Sequence, residues 1–335
     1  MNITNTHGIS LPLAVWLLHD DYDYHNEPNY ISATTLLKST KQIILSRRIA
    51  SEDKEMDVSD FISARFGHAV HDAVEQAWRK SGKAAMKKLG YPDHICENIA
   101  INPTEEEIAA NPDIIPIWIE KRSYRKVMIN GVEYTVGGKF DKVLDGRLFD
   151  TKTTSVWSFI KGTKDEDYGL QGGIYKWLNQ EGPVEITSDH IFIQFVFTDW
   201  QRMMAKRTPG YPPIKVMEHP VLMPTLDQVE DYVVAKISEL SRLWDAPEDR
   251  LPACNDKELW RSEPQYKFYL DPEKAKDPDA RATKNSDTLA EAKAYQASKG
   301  GRGVIVTKLG EPKACEYCPA FDICKQKDAY FAERD

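Results

Sequence analysis

Three side chains that can support metal-dependent chemistry fall close together in the middle of the chain, within the stretch VGGKFDKVLDGRLFDTKTT at 136–154. The dipeptide Asp145-Gly146 separates two runs of strand-forming residues, which is a strong signal for a two-residue hairpin turn. A hairpin places Asp141 and Asp150 on adjacent strands, and Lys152 lies on the same face as Asp150 because side chains alternate. Two carboxylates and a lysine that converge in this way predict a site for a hard divalent cation and a water.

Two predicted helices must position further polar side chains around this hairpin. The helix predicted at 58–80 carries His71, with Gly67 four residues before it and Glu75 four residues after it on the same face. A lone histidine on a helix is more often structural, but the hairpin downstream favours a functional role. The helix predicted at 167–179 carries Gln171 and Tyr175, which are also four residues apart and share a face.

The order and spacing of these residues resemble the nuclease domain of the RecB type within the PD-(D/E)xK superfamily. The resemblance covers roughly residues 60 to 180 and implies a restriction-endonuclease-like α/β core, with a central mixed β-sheet flanked by helices. It rests on four short motifs in family order, which are G-x-x-x-H at Gly67 and His71, G-x-x-D at Gly138 and Asp141, D-x-K at Asp150 and Lys152, and Q-x-x-x-Y at Gln171 and Tyr175.

The resemblance implies a metal-dependent DNA exonuclease that hydrolyses phosphodiester bonds from DNA ends or single strands, in recombination, repair or replication. Asp141, Asp150 and Lys152 are then catalytic. Mg²⁺ or Mn²⁺ is expected on Asp141 and Asp150, with His71 and the Thr151 carbonyl as further ligands. The remaining assignments are Gln171 and Tyr175 as DNA-binding groups and Glu75 as a partner that supports His71.

Two alternatives to an exonuclease remain open from the sequence. A structure-specific or nicking endonuclease would use the same residues, because the superfamily contains both kinds of enzyme. A non-catalytic DNA-binding module on the same fold is an alternative of another class, although the complete set of Asp141, Asp150 and Lys152 disfavours it. The sequence does not indicate cleavage polarity, strand preference or oligomeric state.

The cysteines are concentrated near the C-terminus, where Cys315, Cys318 and Cys324 form the spacing C-x2-C-x5-C. This resembles the nucleases that carry a [4Fe–4S] cluster, including AddB-type subunits and CRISPR-associated RecB-type exonucleases. The resemblance implies a cluster here, and we expect Cys254 as the fourth ligand, with Cys96 as the alternative. A structural Zn²⁺ is the competing identity, because four thiolates also suit zinc.

Composition places the chain among ordinary globular proteins. It has 335 residues and a net charge of −8, with 41% hydrophobic and 29% charged residues. The apolar run at 11–18 is too short to span a bilayer and has no basic flank on its N-terminal side, so we expect an intracellular, cytoplasmic protein. The resemblance implies DNA as a partner, with recombination or replication proteins as further candidates. A stand-alone nuclease of this size suits a phage or mobile element, which would place it in the host cytoplasm.

We expect three regions along the chain, an N-terminal helical arm at 1–55, the nuclease core at 56–250, and a C-terminal iron–sulfur region at 251–335. The arm is predicted to contain one helix that begins at Ser32 and continues to about Ile49. The most apolar strand, at 190–197, is expected near the centre of the sheet. The C-terminal region is predicted to contain a small βαβ-like insert.

Overall fold

The computed structural model describes residues 2–331 apart from 22, 26, 50–54 and 278. The chain divides into two compact units, of which the first comprises residues 1–37 and 50–241 and the second comprises residues 38–49 and 242–335. Parts of the predicted arm and tail, at 50–54 and 332–335, lie outside the described residues.

The first unit contains most of the strands. They are β1 (Asn2–Thr4), β2 (Tyr30–Ser32), β3 (Glu55–Asp57), β4 (Ile99–Ile101), β5 (Ile115–Ile129), β6 (Val132–Leu144), β7 (Arg147–Thr154), β8 (His190–Phe197) and β9 (Val216–Leu222). The strands of the second unit are β10 (Gln265–Tyr269), β11 (Lys284–Ser286) and β12 (Val304–Lys308).

The helices are numbered in chain order through both units. They are α1 (Leu11–Leu18), α2 (Ala33–Leu36), α3 (Thr40–Ser46), α4 (Ile62–Lys88), α5 (Asp93–Asn98), α6 (Glu105–Ala110), α7 (Val156–Lys161), α8 (Asp165–Leu178), α9 (Arg202–Arg207), α10 (Leu226–Leu243), α11 (Leu289–Ser298) and α12 (Lys325–Phe331). Among the described residues, no helix is both long and apolar enough to cross a bilayer.

A mixed sheet forms the centre of the first unit, with the strand order β4-β5-β6-β7-β8-β9. β6 pairs antiparallel with both β5 and β7, whereas β7 pairs parallel with β8. The β6–β7 turn is Asp145-Gly146, and both residues have positive φ angles, 50° and 68°. Such a turn matches the twist of two antiparallel strands. The strand order and pairing confirm the predicted α/β class with a central mixed sheet.

Helices α4 and α8 cover opposite faces of this sheet. Gly67 of α4 lies against Thr153, and Gly172 of α8 lies against Ile191. Ile191 pairs with Leu148 in the β7–β8 ladder, so it shares a face with the even-numbered residues of β7, whereas Thr153 points to the other face. The hairpin β6–β7 therefore has one helix on each side of it.

The predicted N-terminal arm does not form a separate region, which corrects the first sequence-based boundary. β2 pairs parallel with β6 and so extends the central sheet. The single helix predicted from Ser32 is divided into α2 and α3, which belong to different units. The predicted helix is interrupted at Ser39, because the Ser39 hydroxyl accepts a hydrogen bond from the Gln42 amide and caps the start of α3.

The second unit contains an antiparallel three-stranded sheet in the order β11-β10-β12, with α11 between β11 and β12 in the chain. The predicted βαβ-like insert is therefore wrong in its topology, because a βαβ unit joins parallel strands. Its core includes Phe268 and Ala292, which are both fully buried. Gly303 approaches the Phe268 ring so closely that a Cβ atom would lie 2.7 Å from it.

Candidate metal centre

The β6–β7 hairpin brings Asp141 and Asp150 next to each other, as the sequence predicts. The antiparallel register pairs Lys142 with Phe149, and continuing it by one residue places Asp141 opposite Asp150. The ladder ends at this point, and the Thr151 amide donates instead to the Asp141 carboxylate, with 2.7 Å between N and Oδ2. The Asp141 side chain thus takes the place of a backbone carbonyl as the acceptor for the Thr151 amide. This hydrogen bond holds the Asp141 carboxylate in position.

Lys152 lies beside Asp150 on the face of β7 that α8 covers. Its Nζ is 2.7 Å from Asp150 Oδ2, in an ion pair that is largely buried on the carboxylate side. Burial by itself would lower the pKa of Lys152, but attraction to Asp150 and Asp141 outweighs it, so the pKa is raised. The lysine is therefore held in its charged form.

Helix α4 supplies His71 from the opposite face of the sheet. Its Nδ1 is 3.2 Å from Asp141 Oδ2. Gly67, one turn earlier, faces β7, where a Cβ atom would lie 3.3 Å from Thr153 Oγ1. Gly67 and His71 therefore face the central sheet from the same side of α4, as their spacing predicts.

Glu120 is a further member of the site that the motif analysis misses. Ligand atoms of His71, Glu120 and Asp141 all lie within 4.8 Å of one another. Glu120 lies in the interior of β5 yet has a positive φ of 50°, a left-handed conformation that is uncommon for a residue with a side chain. The β5–β6 pairing is interrupted there, since it runs from Ile119–Lys142 to Lys121–Phe140.

One sequence signal could have located Glu120. The dipeptide Asn130-Gly131 predicts a two-residue turn, and the structure has positive φ at both residues. Counting back along both strands from this turn places Glu120 opposite Asp141. This count does not predict the left-handed backbone conformation of Glu120, which depends on the tertiary surroundings.

The three ligand groups line a small recess. Its other lining residues include Glu75 and Thr151, and its volume is about 10 Å³, which is about what one water requires. Burial, and then the charge of Asp150, raise the pKa of Asp141 well above its ordinary value. The negative charge of Asp150 disfavours ionisation of Asp141, and a cation bound to Asp141 would oppose this effect.

Two carboxylate oxygens and an imidazole nitrogen form a donor set that fits Mg²⁺ or Mn²⁺, and the nitrogen suits Mn²⁺ better. Asp150 does not belong to the group of three. Its Oδ1 instead accepts a long hydrogen bond from Gln171 Nε2, at 3.5 Å, and its Oδ2 contacts Lys152. Whether Asp150 and the Thr151 carbonyl also act as metal ligands stays a prediction.

Gln171 and Tyr175 lie inside the unit and not on its surface. Their exposed fractions are 8% and 4%, and Gln171 Nε2 also donates to the Tyr175 hydroxyl at 3.1 Å. Both side chains therefore support Asp150, and DNA contact by them stays a prediction that this arrangement does not favour. Glu75 lines the recess, but its described hydrogen bond comes from Arg79 Nε at 2.6 Å, and not from His71.

Four of the five cysteines belong to the second unit. Burial, and then the neighbouring Cys318, Cys324 and Cys254, raise the pKa of Cys315 to about 11, so these four thiols are electrostatic neighbours. Gln326 holds the Cys254 backbone at both ends, by accepting from its amide and donating to its carbonyl, each at 2.9 Å.

Cys96, the alternative fourth ligand, belongs to the first unit. It is fully buried there, and its Sγ donates to the Tyr91 carbonyl at 3.7 Å. Among the described residues, the group of His71, Glu120 and Asp141 is the only one with three such ligand atoms all within 4.8 Å.

The sequence matches no family model and no curated protein. Among solved structures, the chain is similar to the crystal structure of SSO0001, with a TM-score of 0.42 and 16% sequence identity. The similarity covers 70% of this chain and 86% of that chain.

Proposed function

We propose that this chain is a divalent-metal-dependent deoxyribonuclease with a restriction-endonuclease-like core, and that it acts as an exonuclease on DNA ends or single strands. The main support for the proposal is that His71, Glu120 and Asp141 surround one recess and that the Lys152–Asp150 ion pair lies on the adjoining strand. A purely structural ion pair would not require three further ligand-type side chains beside it.

A bound Mg²⁺ or Mn²⁺ would polarise the phosphodiester and lower the pKa of a water. His71, Glu120 and Asp141 would hold the ion, with Asp150 and the Thr151 carbonyl as further candidates. The Thr151 amide holds Asp141 in place through its hydrogen bond.

Lys152 contributes a positive charge at the point where negative charge develops on the phosphate. Its raised pKa favours a role as a charge stabiliser and hydrogen-bond donor over a role as a general base. Asp150 orients the ammonium group, and Gln171 in turn orients Asp150. Hydrolysis breaks one P–O bond while the water oxygen forms a new one, and the departing oxygen must receive a proton from solvent or from a neighbouring donor.

The C-terminal cysteines are proposed to bind a [4Fe–4S] cluster through Cys254, Cys315, Cys318 and Cys324. A structural Zn²⁺ on the same four thiolates is the competing identity, because four thiolates also suit zinc.

Point substitutions test the nuclease proposal directly. Lys152→Ala and Asp150→Ala should reduce Mn²⁺-dependent degradation of end-labelled DNA to the level without enzyme, while the far-ultraviolet circular dichroism stays unchanged. Lys88→Ala is the matched control, because Lys88 is exposed at the far end of α4 and should digest DNA like the parent. Full activity in the Lys152 and Asp150 variants would show that the assignment is wrong.

A covalently closed single-stranded circle separates the two enzymatic alternatives. Resistance of the circle, together with degradation of the same strand after linearisation, supports an exonuclease, whereas cleavage of the circle supports an endonuclease. A protein that binds DNA but binds no Mn²⁺ in a calorimetric titration would instead be a non-catalytic binding module. Iron and zinc analysis of the purified protein decides the identity of the metal at the cysteines.

A further inference from the structure

The surface at one end of β7 and β8 is basic and carries an exposed tryptophan. These two strands run parallel, so both end at the same edge of the sheet, where β7 leads into α7 and β8 leads into α9. The segments 155–161 and 200–215 at this edge contain five Lys or Arg residues and no Asp or Glu, in a chain with a net charge of −8. We call this surface the basic edge, and its exposed side chains are Trp157, Lys161, Arg202, Lys206, Arg207 and Lys215.

Hydrogen bonds hold the two segments together where the strands end. The Thr198 amide donates to the Thr154 carbonyl at 2.9 Å, which joins the residues that follow β8 to the last residue of β7. The Val156 amide at the start of α7 donates to the Asp199 carboxylate at 2.7 Å. The basic residues of both segments are therefore positioned by the same end of the sheet.

Trp157 is held on one side and open to solvent on the other. Its ring lies against Tyr211, with centroids 6.3 Å apart and an angle of 77° between the rings. Tyr211 is buried, and its hydroxyl accepts a hydrogen bond at 3.0 Å from the amide of Gln201, the residue before α9. Trp157 is nevertheless 48% exposed. Lys161 follows it by four residues in α7 and shares its helix face, so the exposed ring has a basic side chain beside it.

The positive charges of the basic edge are not neutralised by carboxylates. Within the part of the chain that the structure describes, none of its five Lys and Arg side chains makes an ion pair. The acidic run at 165–167 follows α7, but it forms the first turn of α8, where carboxylates complement the helix dipole. Asp165 in this run also has its own partner, since its Oδ2 is 2.9 Å from His219 Nε2.

The basic edge continues the strand that carries Lys152. In the β7–β8 ladder Lys152 pairs with Phe195 and Thr154 pairs with Phe197, and the Phe197 amide donates to the Lys215 carbonyl at 3.0 Å. The backbone of Lys215 is therefore two strand spacings, roughly 10 Å, from Thr154, which is itself roughly 7 Å from Lys152. Phosphates of one strand recur about every 3.4 Å along a duplex, so the basic edge lies only a few nucleotides from the metal centre.

We infer that the basic edge binds the single DNA strand that is cut at the metal centre, with its Lys and Arg side chains on phosphates and Trp157 stacked on one base. This inference rests on the proposed nuclease function and deepens it, because it names the form of DNA and the surface that it crosses. Sites for single strands combine a basic groove along the backbone with aromatic rings on which bases stack. An acidic peptide would match the charges and leave the exposed ring unused, whereas a single strand uses both.

The test measures how binding of a fluorescent oligo-dT of about 12 nucleotides depends on salt, a length within the range that such sites cover. The full chain is used in a Lys152→Ala background without added divalent ions, so that the strand is not cut. Each phosphate contact to a single strand contributes about 0.7 to the slope of log K against log salt concentration. Arg202→Ala combined with Lys206→Ala should therefore make this slope shallower by about 1.4.

Lys80→Ala combined with Lys88→Ala is the matched control. It also removes two exposed positive charges from the first unit. These positions are about 20 Å and about 30 Å along α4 from Gly67, the residue that lies against Thr153 of β7. The slope of the control should match that of the parent. A parent slope in the variant of Arg202 and Lys206 as well would overturn the inference.

Trp157 is tested separately at one salt concentration. Trp157→Ala should weaken dT binding by about 5-fold to about 100-fold, as expected for the loss of one stacked base, and leave the salt slope unchanged. Trp157→Phe keeps a ring and should bind more tightly than Trp157→Ala. Circular dichroism and the melting temperature show whether each variant is folded. A folded Trp157→Ala variant with the parent affinity for dT would contradict the inference.

The remaining outcomes separate this inference from the proposed function. If the parent binds dT through the basic edge but hydrolyses no DNA with Mn²⁺, the basic edge stands and the nuclease proposal fails. If the parent hydrolyses DNA and the alanine variants of Trp157, Arg202 and Lys206 bind dT with parent affinity and slope, the basic edge alone fails. If poly-glutamate displaces dT at the same concentration of charge and Trp157→Ala binds dT normally, the surface accepts any acidic polymer and the inference is wrong.

Discussion

Replacing Gly138 by alanine should destabilise the first unit and disturb the metal centre together. A Cβ atom at this position of β6 would lie 2.8 Å from Tyr175 Cε1, 2.9 Å from Leu178 Cδ1 and 3.1 Å from the Ala33 Cβ. Two of these distances are shorter than real contacts allow, and all three neighbours are buried. Helix α8 would have to move away from the sheet to accommodate one methyl group.

The expected cost follows from the behaviour of overpacked cores, in which one added carbon destabilises by about 1–3 kcal/mol. A unit of roughly 230 residues loses about 2–4 °C of melting temperature for each kcal/mol. Gly138→Ala should therefore melt about 2–12 °C below the parent, by calorimetry or circular dichroism. Because Tyr175 contacts Gln171, which contacts Asp150, the variant should also lose Mn²⁺-dependent hydrolysis at temperatures where it is still folded.

Gly67→Ala provides the matched comparison. Its Cβ would approach only Thr153 Oγ1, at 3.3 Å, and a hydroxyl can rotate away. Alanine also favours a helix over glycine by up to about 1 kcal/mol, so the variant should melt within about 2 °C of the parent. If Gly138→Ala melts as high as Gly67→Ala, the steric account of the G-x-x-D glycine is wrong.

Three further outcomes test other parts of the structure. Glu120→Gln should weaken Mn²⁺ binding at least about 10-fold, measured by titration calorimetry, because it removes one of three ligand-type side chains; an unchanged affinity would remove Glu120 from the site. Thr225→Ala removes the hydroxyl that caps the Gln228 amide and should cost about 1 kcal/mol in urea unfolding, whereas Thr225→Ser should match the parent. Hydrogen bonds from the amides of Thr6 and Ser59 lower the pKa of Asp57 below its ordinary 3.8. The ionised Asp57 therefore contributes to the free energy of unfolding above about pH 4, and this contribution is lost as the pH falls further. The difference in unfolding free energy between the parent and Asp57→Asn should shrink from pH 6 to pH 3.

Local signals in the sequence were sufficient for the elements of the central hairpin. Asp145-Gly146 predicts the turn, the period of two places Asp150 and Lys152 on one face, and the ion pair between them follows. The position of the strand at 190–197 is also confirmed, but this strand lies next to the edge strand β9 and not at the centre of the sheet. These features depend on interactions between residues close in the chain, which a sequence pattern reports directly.

Other features depended on contacts between distant residues, and sequence patterns describe those poorly. The period of the helix predicted from Ser32 does not reveal that Ser39 begins a second helix in another unit. The C-terminal insert contains strands and a helix as predicted, but its strands pair antiparallel, with β10 at the centre of the sheet. Surface exposure was the least predictable quantity, since Gln171 and Tyr175 are buried against Asp150.

By itself, the sequence determined which chemistry is available, because the aspartates, the lysine, the histidine and the clustered cysteines occur at spacings that only a few kinds of site use. The tertiary structure decided which of these groups lie next to one another. Glu120 joins His71 and Asp141 because its backbone is left-handed within a paired strand, and Asp150 turns to Lys152 and Gln171 because its side chain faces α8. The physical reason is that a ligand set depends on distances across three strands and two helices, and tertiary packing alone sets those distances.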